Sequence, residues 1–154
     1  MPIDDTLLQD SYNSAYVLCQ ETDTLAQVLD RLCDIEAEMD WLIVVEHKDN
    51  NYTAATVDAL RRLLMREIEP EKIQTEAGMY NTDPEGTVSM VRRVLKAGRI
   101  PNVILSKLPL MECLTTEQDA MSPRKARRLI QRNSKSMVVT RNGQFIGLLR
   151  WGSR

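Results

Sequence analysis

Met137-Val138-Val139-Thr140-Arg141-Asn142-Gly143-Gln144-Phe145-Ile146-Gly147-Leu148-Leu149 is the stretch whose reading decides the fold. Two apolar runs flank Asn142-Gly143, and both turn residues tolerate the positive φ that a tight hairpin demands. The pattern predicts strands over 136–140 and 145–151, joined through Arg141 to Gln144. Upstream, Ser122-Pro123 marks a helix start, because serine caps free amides and proline suits the first helical position. Ala126, Leu129 and Ile130 then recur on one side of that helix, opposite Arg124, Lys125, Arg127, Arg128 and Arg132. Leu110 to Thr116 reads as a strand before it. This unit therefore runs strand, helix, strand, tight turn, strand.

The same order recurs nearer the N-terminus. Tyr16 to Gln20 is a short β-type run, and Thr24 with Gln27 forms a capping-box pattern. Leu25, Val28, Leu29, Leu32, Ile35 and Met39 form one helical stripe, with Asp30, Asp34 and Glu38 on the solvent side. Trp41-Leu42-Ile43-Val44-Val45 is too short and β-branched for a helix and predicts a buried strand. His47 to Asn51 is turn material, read as exposed, and Tyr52 to Ala55 is the returning strand. Val57, Leu60, Leu63, Leu64 and Ile68 give a second helix that stops before Pro70. The division is a segment at 1–15, a module at 16–69, a linker with an inserted helix at 70–108, and a module at 109–154. The second module lacks the last helix of the first, and residues 1–15 or 86–97 are the candidates to supply it.

Several function classes fall on composition. No apolar run approaches the ~18 residues of a membrane span, and the start lacks a basic, apolar leader. The default location is the cytoplasm. Three cysteines, Cys19, Cys33 and Cys113, are too scattered for a metal knuckle and read as buried thiols. His47 is the single histidine, which leaves metal binding and histidine-based catalysis without a ligand set or partner. The net charge of −2 conceals a gradient: residues 1–60 carry thirteen acids and two bases, residues 120–154 nine bases and no acid. Opposed ends imply an anion-binding end or two halves that attract each other.

The order of elements resembles that of the cystathionine-β-synthase (CBS) domain, found as tandem pairs. The resemblance lies in Thr24-Leu25-Ala26-Gln27-Val28-Leu29 entering a helix, in Trp41 to Val45 as the inner strand, and in the Met137–Leu149 hairpin. It implies an α/β fold: a pseudo-symmetric pair of β-α-β-β-α modules with a helical insertion between them. It also implies a non-catalytic regulatory or adaptor module, commonly a homodimer, with clefts that bind adenine nucleotides and no cofactor required. In the family a glycine, a Thr or Ser and an Asp follow one another from the last strand into the helix, and the Asp holds ribose. Here Tyr52 and Ala55 stand at the first two positions and Asp58 matches the third; in the second module Gly147 matches, Arg150 replaces the Thr/Ser and Ser153 the Asp.

If a nucleotide binds, Asp58 is expected on ribose with Thr56 also in the site, and the guanidinium of Arg124, Arg128 or Arg150 near phosphate. A carboxylate accepts two hydroxyls, yet Asp58 equally suits the first turn of a helix for its dipole alone. The basic helix over 122–135 has three readings beyond a solvated face: a phosphate clamp for a small anionic ligand, a dock for an acidic protein surface, and a nucleic-acid contact. No aromatic interleaves with its bases, which argues against nucleic acid. The alternative to a ligand site is a protein–protein module assembled by charge, acidic helix of one chain on basic helix of another.

Overall fold

The apolar runs Leu42–Val45 and Met137–Val139 are buried on both faces, and that fact organises the architecture. The structure is a computed structural model and describes residues 2–9, 15–38, 40–67 and 110–151. The inserted helix expected within 70–108 and the candidate segment 86–97 lie outside the described residues, as do Met39, Ile68 and the side chains of Leu63 and Leu64. In order the elements are α1 (Asp5–Leu8), β1 (Tyr16–Gln20), α2 (Leu25–Asp34), β2 (Leu42–Glu46), a 3-10 turn (Lys48–Asn50), β3 (Tyr52–Thr56) and α3 (Val57–Glu67). Then come β4 (Met111–Glu112), β5 (Leu114–Glu117), α4 (Pro123–Asn133), β6 (Met137–Arg141) and β7 (Gln144–Leu149). They form two small sheets of a mixed α/β protein, ordered β1-β2-β3-β4 and β5-β6-β7.

Local chemistry sets the helix starts as the sequence implies. The Thr24 Oγ1 accepts from the Gln27 amide at 3.3 Å, and the Gln27 side chain accepts from the Thr24 amide at 2.8 Å. The Ser122 Oγ accepts from the Lys125 amide at 3.2 Å, with Pro123 as the first helical residue. The hairpin turn holds Asn142 at φ 54° and Gly143 at φ 80°, as a two-residue turn between twisted strands requires. Between the pairs Val139–Gly147 and Thr140–Phe145 the register shifts by one, so Ile146 is the extra residue of a bulge that bends β7.

Both sheets use the same pairing scheme, with β1 parallel to β2 and β2 antiparallel to β3, and with β5 parallel to β6 and β6 antiparallel to β7. Alternation sends Val17, Cys19, Ile43 and Val45 toward Leu25, Val28, Leu29 and Leu32 of α2. It sends Leu42, Val44, Tyr52 and Ala54 the other way, where they meet Val138 and Leu148 of the second sheet. Phe145 fills the edge of this seam, its ring 5.5 Å from Tyr16 and 5.9 Å from Tyr52. The Tyr52 phenol donates to Glu46 Oε2 at 2.9 Å, and burial pushes its pKa up to about 12.

Two expectations are corrected. The helical stripe breaks early: α2 ends at Asp34, Glu36 takes φ 52°, and Ile35 is 41% exposed rather than in the core. Leu110 to Thr116 is not one strand. Met111–Glu112 pairs with β3, the Cys113 amide bonds Tyr52 O at 2.9 Å, and the Leu114 amide bonds Ser136 O at 2.8 Å. The chain crosses from one sheet to the other within one peptide step, which hydropathy cannot register. Of the two candidate segments to complete the second module, the described residues show the N-terminal one packed there. Ile3 and Leu8 are 0% and 5% exposed and join Ala126, Ile130, Met137, Val139 and Leu149 in the core of the second module. Gln118 holds this segment through its carbonyl to the Ile3 amide (3.3 Å) and its side-chain amide to Ile3 O (2.6 Å). Arg141 adds an ion pair to Asp5 at 3.0 Å.

Gly147 records how closely α1 is seated, since a Cβ there would lie 2.9 Å from Leu8 Cδ2 and 3.0 Å from Leu8 Cβ. Leu8→Ala is expected to cost about 2–4 kcal/mol in urea unfolding, and Gly147→Ala about 1–3 kcal/mol. In the double variant the Gly147→Ala cost should nearly vanish; strictly additive costs would remove the contact. Tyr52 gives a second test. Its folded-state pKa is raised, so the buried phenol's contribution is intact below about pH 10 and lost as pH rises toward about 12, the unfolded phenol ionising first. Tyr52→Phe should flatten the stability slope in that window, read by tyrosinate absorbance alongside unfolding.

Candidate functional site

The end of the first sheet where β3 passes into α3 collects three of the residues singled out from sequence. Thr56 pairs with Leu42 at the last register position, and the Val57 amide donates to Trp41 O at 2.8 Å. The chain enters α3 through Thr56, whose Oγ1 accepts from the Ala59 amide at 3.0 Å. Asp58 stands in the first turn with a half-buried carboxylate. Arg150 arrives from beyond β7 of the second module. It is 8% exposed, and its Nη2 donates to Asp40 O, one residue before Trp41. Thr56, Asp58 and Arg150 therefore lie at one end of the first sheet, tied by the run Arg150, Asp40, Trp41, Val57.

Asp58 is not bare. Its Oδ1 accepts from Arg61 Nη2 at 2.9 Å and Nε at 3.2 Å, and its Oδ2 pairs with Arg62 Nε at 3.0 Å. Arg61 is 18% exposed at its side chain, whereas Arg62 is 72% exposed, so Arg61 is the guanidinium built into the site. The i, i+3 spacing of Asp58 and Arg61 is the sequence signal for this pair, and neither the ribose nor the helix-dipole reading of Asp58 draws on it. The cluster offers fixed cationic donors, a carboxylate with lone pairs in reserve, and a helix start. That set suits a small polar anion bearing hydroxyls.

Arg124 and Arg128 are elsewhere. They stand exposed on the outer side of α4, whose inner side packs Ala126 and Ile130. Arg124 opens α4 near the Asn142-Gly143 end of its sheet, whereas Arg150 follows Leu149, paired with Met137 at the other end. An 11-residue helix spans about 16 Å, so the two arginines do not converge.

His47 corrects another expectation: it is half-buried, not an exposed turn residue. Its Nδ1 lies 3.2 Å from Glu21 Oε2 and its Nε2 2.7 Å from Thr53 Oγ1. Carboxylate, imidazole and hydroxyl in this order resemble a hydrolase relay. Thr53, however, is paired on both sides, with Val45 and Glu112, which commits the neighbouring amides to the ladder. No adjacent amide is left to hold an oxyanion, and the chain of bonds braces the hairpin to the end of β1. Cys19 is fully buried, with Arg31 Nη1 donating to its sulfur at 3.4 Å. Burial pushes its thiol up to about 11 and that of Cys113 up to about 12, so neither is poised as a nucleophile. Among the described residues no cluster of three or more His, Cys, Asp or Glu could hold a metal, and no helix is long and apolar enough to cross a membrane.

Two solved structures are similar to this chain in fold. One is a CBS domain-containing protein of unknown function from Kribbella flavida DSM 17836, at TM-score 0.57 and 14% identity, covering 90% of this chain and 88% of that one. The fold is that of a CBS-domain protein. The other is the CBS domain of a CBS domain-containing membrane protein from Sphaerobacter thermophilus, at TM-score 0.57 and 16% identity, covering 97% and 83%. No family model and no curated protein matches the chain. The likeness to both CBS structures runs over most of the chain at low identity, so packing pattern rather than shared motif carries it.

Arg150 is the side chain by which the second CBS-like module reaches the site end of the first. Arg150→Met is expected to cost about 1.5–3 kcal/mol, the range for a hydrogen bond made by a charged donor. Arg150→Lys should recover part of it. A Met variant as stable as the parent in urea would show that the contact contributes nothing.

Proposed function

We propose that this chain is a non-catalytic regulatory module that binds a small anionic ligand, of the adenine-nucleotide kind, where the two CBS-like modules meet. The observation that carries the reading is the joint construction of that end: Thr56, Asp58 and Arg61 come from the first module and Arg150 from the second. A ligand held there touches both modules, so its binding energy bears on how they sit against each other.

The chemistry of recognition follows from the ion pair. Ribose hydroxyls donate to Asp58, and the guanidinium of Arg61, released from part of its hold on the carboxylate, turns to phosphate. Arg61 thereby takes the phosphate role that the sequence alone assigns to Arg124 or Arg128. The module acts as a homodimer in the cytoplasm and passes ligand state to a protein partner. The CBS-type fold supports this reading, with the two modules related by a pseudo-twofold.

Calorimetric titration with AMP, ADP, ATP and S-adenosylmethionine tests it. Heat is expected with at least one of the four, and Asp58→Asn or Arg61→Gln should weaken that ligand at least tenfold. Absence of heat with all four removes the nucleotide reading.

A further inference from the structure

We infer that the outer face of α4, together with Trp151, is a binding surface for single-stranded nucleic acid. This surface is separate from the end that holds Asp58 and Arg61 and does not depend on it. Arg124, Lys125, Arg127, Arg128 and Arg132 are all exposed on one 11-residue helix. At 100° per residue they span a continuous stripe opposite Ala126 and Ile130, interrupted only by uncharged Gln131. None of the five has a carboxylate partner among the described residues, whereas Arg31, Arg61, Arg62 and Arg141 all do. Their charge is therefore directed outward, over a segment (residues 120–154) that contains no acid.

Two details select a phosphodiester strand over an acidic protein. Four of the five cations are arginine, whose planar fork matches phosphate oxygens. Arg124, Arg128 and Arg132 form an i, i+4 row that rises about 6 Å per step along the helix, a spacing comparable to that of successive phosphates on an extended strand. The second detail is Trp151. Its side chain belongs to a residue 54% exposed, and its amide donates to Ser136 Oγ at 3.0 Å, two residues beyond the Ser134 cap of α4. An indole open to solvent at the end of a cationic row is the pairing that single-strand binders use: charge follows the backbone while a base stacks on the ring. The sequence conceals it, because 18 positions separate Trp151 from the last helical residue, Asn133. A duplex offers the same charge but no unstacked base, so single strands are preferred.

The test uses the full chain and 5′-labelled 15-nucleotide oligo-U and oligo-dT, read by anisotropy from 50 to 300 mM KCl. Micromolar binding is expected at 50 mM, with a log–log salt slope of about −2 to −3.5 for three to five neutralised phosphates. The triple variant Arg124→Gln, Arg128→Gln, Arg132→Gln should weaken binding at least tenfold and flatten the slope by about 2. These side chains are exposed, and the unfolding midpoint checks that the fold persists. Trp151→Ala should weaken binding about five- to a hundredfold at unchanged slope and abolish strand-dependent tryptophan quenching, and Trp151→Phe should restore affinity. Oligo-U and oligo-dT of equal affinity would mark general single-strand binding, and a preference for oligo-U would narrow the class to RNA; either supports the inference. No binding at 50 mM KCl, binding untouched by these variants, or equal competition by a poly-glutamate peptide would overturn it, the last assigning the face to acidic protein.

Discussion

The apolar seam between the two sheets is the contact on which the rest depends. Leu42, Val44, Tyr52 and Ala54 of the first sheet pack on Val138 and Leu148 of the second, with Phe145 against Tyr16 and Tyr52 at the margin. Each sheet gives its other face to a helix, so neither module can close its core alone. Burial on both faces is what demands the unbroken apolar runs at Leu42–Val45 and Met137–Val139. At roughly 25 cal/mol per Å² such a seam far outweighs any surface ion pair.

That seam changes the meaning of the charge gradient. Opposed charge in the two ends invites the idea that the modules attract one another, yet they meet through hydrocarbon. Among the described residues the ion pair between the acidic and basic ends joins Asp5 to Arg141, and it fastens the N-terminal segment to the second module. The helix-borne arginines are thereby left facing outward. Charge contributes little to cohesion between the two sheets among the described residues, and the side-chain contact from Arg150 to Asp40 O is part-buried and made to a backbone carbonyl.

Much of the local structure was legible because it follows from short-range rules. Thr24 with Gln27, Ser122 with Pro123, and Asn142 with Gly143 each specify a terminus or a turn within four residues, and each does so here. Asp58 at the start of α3 was readable for the same reason. Its engagement by Arg61 and Arg62 lay within reach of the i, i+3 and i, i+4 rules. What escaped depends on contacts far apart in the chain. His47 finds Glu21 twenty-six positions away, and Gln118 finds Ile3 across 115. Hydropathy also failed where a strand changes sheets, since Met111 to Glu117 is extended throughout and only its hydrogen-bond partners change at Cys113.

By itself, then, the sequence determined a mixed α/β chain, its caps and hairpins, and a split of charge between its ends, because periodicity and turn chemistry act over a few residues. Only the tertiary structure decided that residues 2–9 belong to the core of the second module and that Arg150 reaches the first. The same is true of the separation of Arg124 and Arg128 from Asp58, and of Trp151 standing at the end of the basic helix. The physical reason is common to all four. Which faces meet is settled by where buried area is greatest once both sheets are formed, and that is a property of the packed chain and not of any segment of it.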